Sequence, residues 1–257
     1  EMAEGFSYYA LGGQSISTNN NLLAFSVDTV SRREYTLQFK DLSTGEILAD
    51  RIPGTTGGAT WANDNKTVFY SKKDPVTLRS SRIFKHVLGT DSSDDVMIYE
   101  ETDETFGCGI GKSKSEQYLM LASYSTVSNE WRYLDANTPN GEWKVIQPRE
   151  RNLEYSCSHY GDHFYITTNR DAKNFKLVRT PVTATTYENW EDVLPHRDET
   201  LLEGVDIFKD YLVVSERTEG LNQIRIKRWD DAADYYIQFP DPAYSAYVGA
   251  NPDFDTQ

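Results

Sequence analysis

No apolar run in this 257-residue chain approaches the roughly 18–20 residues that a membrane-crossing helix needs, so no helical span is expected and no membrane partner. The start, Glu1-Met2-Ala3-Glu4-Gly5, lacks the basic and apolar stretches of a signal peptide. Cysteine is scarce: Cys108 and Cys157 are the only two, which excludes a disulfide scaffold and predicts buried reduced thiols. A cytoplasmic setting follows, with the periplasm as its alternative. Basic residues number 26 against 40 acidic ones, a net charge of −14, and phosphate backbones need a basic stripe, so nucleic acid is excluded. No G-x-S-x-G elbow and no glycine-rich phosphate loop occurs, so neither a hydrolase serine nor a nucleotide can be placed, and no cofactor is expected. His86, His159, His163 and His196 show no metal-ligand spacing and read as strand and turn residues. There is no linker and no low-complexity tract.

What the chain does have is a recurrence. Five apolar runs each follow a polar turn: Leu22-Leu23-Ala24-Phe25, Thr67-Val68-Phe69-Tyr70, Tyr118-Leu119-Met120-Leu121, Phe164-Tyr165-Ile166 and Leu212-Val213-Val214. Anchored on Leu23, Val68, Leu119, Phe164 and Leu212, they step by 45, 51, 45 and 48 residues. A shorter strand precedes each run: Gly12 to Ser17, Gly58 to Trp61, Phe106 to Gly111, Tyr155 to His159, and Gly204 to Phe208. Third strands alternate at period two in Glu34–Phe39, Arg82–Val87 and Gln223–Lys227, and fourth strands follow at Val96–Tyr99, Trp143–Ile146 and Tyr235–Ile237. No segment keeps a helical period for ten residues.

Four strands repeated about every 40–50 residues mark a β-propeller. The fold class is therefore all-β, with about five four-stranded antiparallel blades at 7–50, 51–100, 101–148, 149–196 and 197–240. The start of another falls at 241–257. A β-sandwich is the alternative, and it lacks such self-similarity. Five blades and a beginning read as part of a larger ring. Exposed blade flanks then predict either self-association or a disordered stretch around Asn251 to Gln257. Three functions fit a propeller of this kind: a substrate-gating domain of an enzyme, a stand-alone protein-binding module, and a five-bladed glycosidase with a central carboxylate pair.

The chain also carries a set of words in a specific order: Ser31-Arg32-Arg33-Glu34-Tyr35, Trp61-Ala62-Asn63-Asp64, Pro75-Val76-Thr77-Leu78 leading to Gly89-Thr90, and Ile98-Tyr99-Glu100-Glu101. Glu154-Tyr155-Ser156, Asn169-Arg170 with Lys173-Asn174-Phe175, Leu202-Glu203-Gly204 and Asp241-Pro242-Ala243-Tyr244 follow. In this order they resemble the propeller of the oligopeptidase B (protease II) branch of the prolyl oligopeptidase family of serine peptidases, over essentially the whole chain. The resemblance implies a seven-bladed propeller capping an α/β-hydrolase domain that lies beyond Gln257. It implies cleavage of short peptides after Arg or Lys by that domain, and no peptide hydrolysis by this chain alone. The partners it implies are short cationic peptides and the catalytic domain of the same polypeptide.

One departure stands out. The loop before the Trp61 strand carries a Glu in that branch where this chain has Thr56, so the resemblance implies no interdomain salt bridge from that position and leaves a broader prolyl-oligopeptidase-like activity open beside the preference for basic residues. The same alignment implies that the loops before the first strands face the catalytic domain. They hold Glu101, Asp103, Glu104, Glu150, Glu154, Glu199 and Glu203, which with Thr56 form the expected substrate and interdomain face. No catalytic and no metal-binding residue is expected in the chain.

Overall fold

The computed structural model describes residues 2–256, and it contains twenty strands and two three-residue 3-10 turns among them. The strands group in fours. The first group is β1 (Ala10–Ile16), β2 (Leu22–Asp28), β3 (Tyr35–Asp41) and β4 (Ile47–Thr55); the second is β5 (Thr60–Trp61), β6 (Thr67–Lys73), β7 (Ser80–Val87) and β8 (Val96–Glu100). The third is β9 (Gly107–Lys112), β10 (Tyr118–Tyr124), β11 (Asn129–Asp135) and β12 (Lys144–Gln147). The fourth is β13 (Tyr155–Tyr160), β14 (His163–Thr168), β15 (Lys176–Pro181) and β16 (Glu191–Leu194); the fifth is β17 (Thr200–Ile207), β18 (Tyr211–Thr218), β19 (Leu221–Arg228) and β20 (Asp234–Tyr236).

Each group is an antiparallel meander, the blade of a β-propeller. The first two groups are joined into one eight-stranded sheet by a single pair, Thr55 opposite Lys72. The apolar runs that recur in the sequence are the second strands: β2, β6, β10, β14 and β18. These are inner strands of their sheets, and β6 is buried from Thr67 through Ser71. The turns that precede them carry left-handed residues in four of the five groups: Asn20, Asn65, Glu116 and Gly161, with φ of 60°, 55°, 59° and 58°. Asparagine and glycine tolerate that region, so the polar turn words and the strand words fix one another's register.

Several boundaries differ from expectation. β4 (Ile47–Thr55) crosses the expected edge between the first two blades at residue 50. Its sequence, with Pro53 and an exposed face, has little apolar alternation to mark it. β5 is only two residues long, because the chain from Thr56 to Gly58 closes instead on β1 and β6. Gly13 shows the closeness: its N–H donates to Gly57 O at 2.9 Å, and a Cβ there would sit 2.5 Å from that oxygen. β17 begins at Thr200, earlier than Gly204, through a bulge between Leu202 and Gly204.

The described residues form two compact units, 2–112 with 116–126 and 132–144, and 113–115 with 127–131 and 145–256. In the first, Leu37, Phe39 and Ile52 of the first blade pack on Trp61, Val68 and Tyr70 of the second. A further cluster joins Phe69 to Leu119 and Leu134. In the second, Tyr165 and Leu177 meet Leu202, Leu212 and Val214. Each such fully buried side chain contributes about 1.5–3 kcal/mol. Both cysteines are free thiols on first strands, Cys108 buried on β9 and Cys157 half-buried on β13.

Candidate functional site

The residues of the expected face belong to both units. In the first, Thr56 donates its N–H to Ser71 O at 2.9 Å and shares a 2.7 Å hydrogen bond with the Ser71 hydroxyl. Its side chain is committed to β6. Glu101 is only 4% exposed. The Tyr99 hydroxyl (2.7 Å), the Asp103 N–H (3.0 Å) and the Ser123 hydroxyl all donate to its carboxylate. Arg79 ties the same turn by donating to the backbone carbonyls of Glu101, Asp103 and Phe106. Asp103 accepts from the Thr105 N–H at 2.9 Å and its hydroxyl at 2.7 Å. Glu104 is exposed on the same turn. Of these residues, Glu101 is built into the fold and Glu104 projects from it.

In the second unit, Glu150 pairs with Arg170 at 3.3 Å, and the Arg170 guanidinium in turn lies 3.6 Å over the Tyr187 ring. Glu199 is exposed on the turn before β17. Glu154 and Glu203 come together: both line an open cleft of about 400 Å³, with Ser156, Thr167, Phe175 and Leu201 among its other walls. Glu203 accepts from Arg217 Nε at 2.7 Å through Oε1 and from Asn222 Nδ2 at 2.9 Å through Oε2, so both of its oxygens are engaged. Among the described residues the Glu154 carboxylate accepts only from the Asn169 amide, at 3.2 Å, through Oε1.

The cleft is built by strand register. Ser156 of β13 stands opposite Thr167 of β14, and the ladder runs one step further, with the Asn169 N–H donating to Glu154 O and the Glu154 N–H to the Asn169 side chain. Side chains two apart on a strand share a face. Glu154 and Ser156 therefore stand side by side, faced by Asn169 and Thr167. Between them Tyr155 turns the other way, into the core, where its hydroxyl donates to Gln147 O at 2.5 Å. Phe175, at φ 59°, and Leu201 and Leu202 supply the apolar wall. Thr167, Ser156 and Phe175 carry no sequence signal for a site: each reads as an ordinary strand or turn residue.

A second, apolar hollow of about 490 Å³ lies on one face of the fifth blade, between Val213, Ile224 and Ile226 and the segment holding Val248 and Thr256. It has little to do chemically. No cluster of three or more His, Cys, Asp or Glu residues suited to a metal occurs among the described residues.

Over residues 1–257 the chain matches the family description "Prolyl oligopeptidase, N-terminal beta-propeller domain". It belongs to the prolyl oligopeptidase family. Among curated relatives it is 41% identical to dipeptidyl aminopeptidase BI of Pseudoxanthomonas mexicana, over 99% of this chain and 35% of that protein. It is 30% identical to Protease 2 of Moraxella lacunata, over 100% of this chain and 37% of that protein. The solved oligopeptidase B of Leishmania major superposes with a TM-score of 0.87 at 28% identity, covering 95% of this chain and 36% of that one. Oligopeptidase B of Trypanosoma brucei, solved in a closed form with covalently bound antipain, gives 0.87 at 27% identity, over 99% and 37%. The chain thus spans little more than a third of the length of the curated relatives it matches. Family membership identifies the five blades with the N-terminal propeller domain of that family.

Proposed function

We propose that this chain is the substrate-selecting and docking propeller of a serine oligopeptidase that takes short peptides, with basic residues preferred at the cleaved bond. The observation that carries the reading is the match to the N-terminal propeller domain over the full 257 residues, beside a curated relative named Protease 2 and a solved oligopeptidase B. A propeller in that position covers the reaction from water and admits only chains thin and flexible enough to pass when the domains open. The excess of acid, −14, adds an attraction for cationic substrates that long-range fields can steer. Exposed single ion pairs are weak, so this attraction must be shared among several carboxylates such as Glu104 and Glu199.

Thr56 limits the proposal. With its hydroxyl held by Ser71, it brings no negative charge to the docking loop, so the preference for Arg and Lys must be set elsewhere. The 41% identity to a dipeptidyl aminopeptidase supports a second positional reading, release of residues from a peptide's amino end. The experiment is hydrolysis by the intact protein of matched short peptides with Arg, Lys, Ala or Glu before the scissile bond. The proposal expects Arg and Lys to lead by at least tenfold in kcat/KM. Equal rates across the set would end the basic-residue reading.

A further inference from the structure

The cleft between the fourth and fifth blades contains one group whose chemistry is unfinished. Thr167 Oγ1 is buried, with the residue 6% exposed, and it has no hydrogen-bond partner among the described residues. It lines the cleft. A buried hydroxyl is ordinarily satisfied, and one without a partner in a residue that lines a cleft points to a ligand group that enters and completes the network. Beside it, Glu154 keeps one carboxylate oxygen uncommitted and has no cationic partner among the described residues, whereas Glu203 pairs with Arg217 at 2.6 Å. Ser156, directly across the ladder from Thr167, adds a second hydroxyl on the same wall.

We propose that this cleft binds a primary ammonium group of a peptide, held by Glu154, Thr167 and Ser156. The inference rests on the reading of the chain as a peptide-handling propeller, and it names the group that such a peptide presents. The geometry selects an ammonium over a guanidinium. A guanidinium is flat and seeks both oxygens of a carboxylate, but Asn169 already occupies Oε1 of Glu154. What is left is one anionic oxygen and two hydroxyl oxygens, three acceptors for the three N–H donors of a compact cation. The Phe175, Leu201 and Leu202 wall gives the carbon next to the ammonium an apolar surface. The source of the ammonium is either the peptide's amino terminus or a lysine side chain, which share this chemistry.

The test is fluorescence anisotropy of the chain with four alanine-based tetrapeptides, each labelled at its carboxyl end. One has a free amino terminus, one is N-acetylated, one is N-acetylated with a lysine, and one is N-acetylated with an arginine. Tight binding of the first or the third, and at least tenfold weaker binding of the second and fourth, is expected; which of the two binds names the source. Thr167→Val keeps the shape and removes the unpaired hydroxyl. It is expected to weaken the ammonium peptide at least fivefold while leaving Tm unchanged or higher. Glu154→Gln is expected to weaken it at least tenfold and remove its salt dependence. Equal affinity for all four peptides, or for wild type and Thr167→Val, overturns the site. Failure here is distinct from failure of the functional reading, because the latter is scored by hydrolysis in the intact protein and this by binding to the wall of one cleft.

Discussion

His86 Nδ1 lies 2.6 Å from Asp95 Oδ1, with both side chains buried. The other ring nitrogen lies 3.2 Å from Asp50 Oδ1, which also accepts the Gly89 N–H at 2.6 Å. The Tyr70 hydroxyl donates to the second oxygen of Asp95 at 2.7 Å, and burial followed by that carboxylate pushes the phenol's pKa up. One imidazole thus ties β4, β7 and the turn before β8. Removing one member of a buried charged network leaves the others unpaired, at about 3–5 kcal/mol. His86→Ala should therefore lose about that much in urea unfolding. A loss below about 1 kcal/mol, the scale of an exposed pair, would show that water reaches the site.

Much of this fold was legible in the sequence, and the reasons are particular. Second strands such as Thr67–Tyr70 are apolar on both faces and follow turns of Asn, Asp and Gly, so pattern and punctuation agree. β11 and β15 left no comparable trace, since Asn129–Asp135 and Lys176–Pro181 mix polar and apolar residues without clean alternation. β4 hid behind Pro53. Of the residues expected to face a substrate, sequence could name Glu154 and Glu203 as acidic loop neighbours. It could not show that Glu203 is spent on Arg217, that Glu101 is buried, or that Thr167 lacks a partner, because these depend on register between strands.

Glu101 is a fold-holding carboxylate. Its oxygens accept from Tyr99, Ser123 and the Asp103 N–H. Glu101→Ala leaves those donors unsatisfied in the interior, each costing about 1–3 kcal/mol. A drop in Tm with unchanged peptide binding is expected. For Glu104→Gln the pattern reverses: unchanged Tm and a loss of affinity that fades with salt. Identical behaviour of the two variants would contradict the assignment.

Acid should weaken the protein through its turn aspartates. The Ser43 hydroxyl, then the Thr44 and Ser43 N–H groups, hold Asp41 below its ordinary 3.8, and the Thr77 and Val76 N–H groups do the same for Asp74. Arg228 holds Asp230 down at about 2. A carboxylate with a depressed folded pKa adds stability that is full above its unfolded value and is lost as pH falls through the folded one. Tm should be flat from neutrality to about pH 5 and then decline below about pH 4. Asp41→Asn and Asp74→Asn together should make the decline shallower. A double variant with the same acid profile as wild type would locate the acid sensitivity elsewhere.

Neither thiol should react in the folded protein. Burial, then the charge of Glu101, pushes Cys108 up to about 12, and burial raises Cys157 as well. Thiolate is the reactive form. With iodoacetamide at pH 8 the folded chain should stay unlabelled for hours and take two equivalents on unfolding. Fast labelling of either residue in the native state would show local opening of β9 or β13.

The central claim is that these blades select short peptides for a serine peptidase. The direct measurement compares kcat/KM of the intact protein for one arginine-containing sequence, offered first as a free short peptide and then within a loop of a folded domain. The account predicts rapid cleavage of the first and at least a hundredfold slower cleavage of the second, with the difference abolished when the carrier domain is unfolded and cut to short length. Comparable cleavage of the free and the folded forms would contradict it.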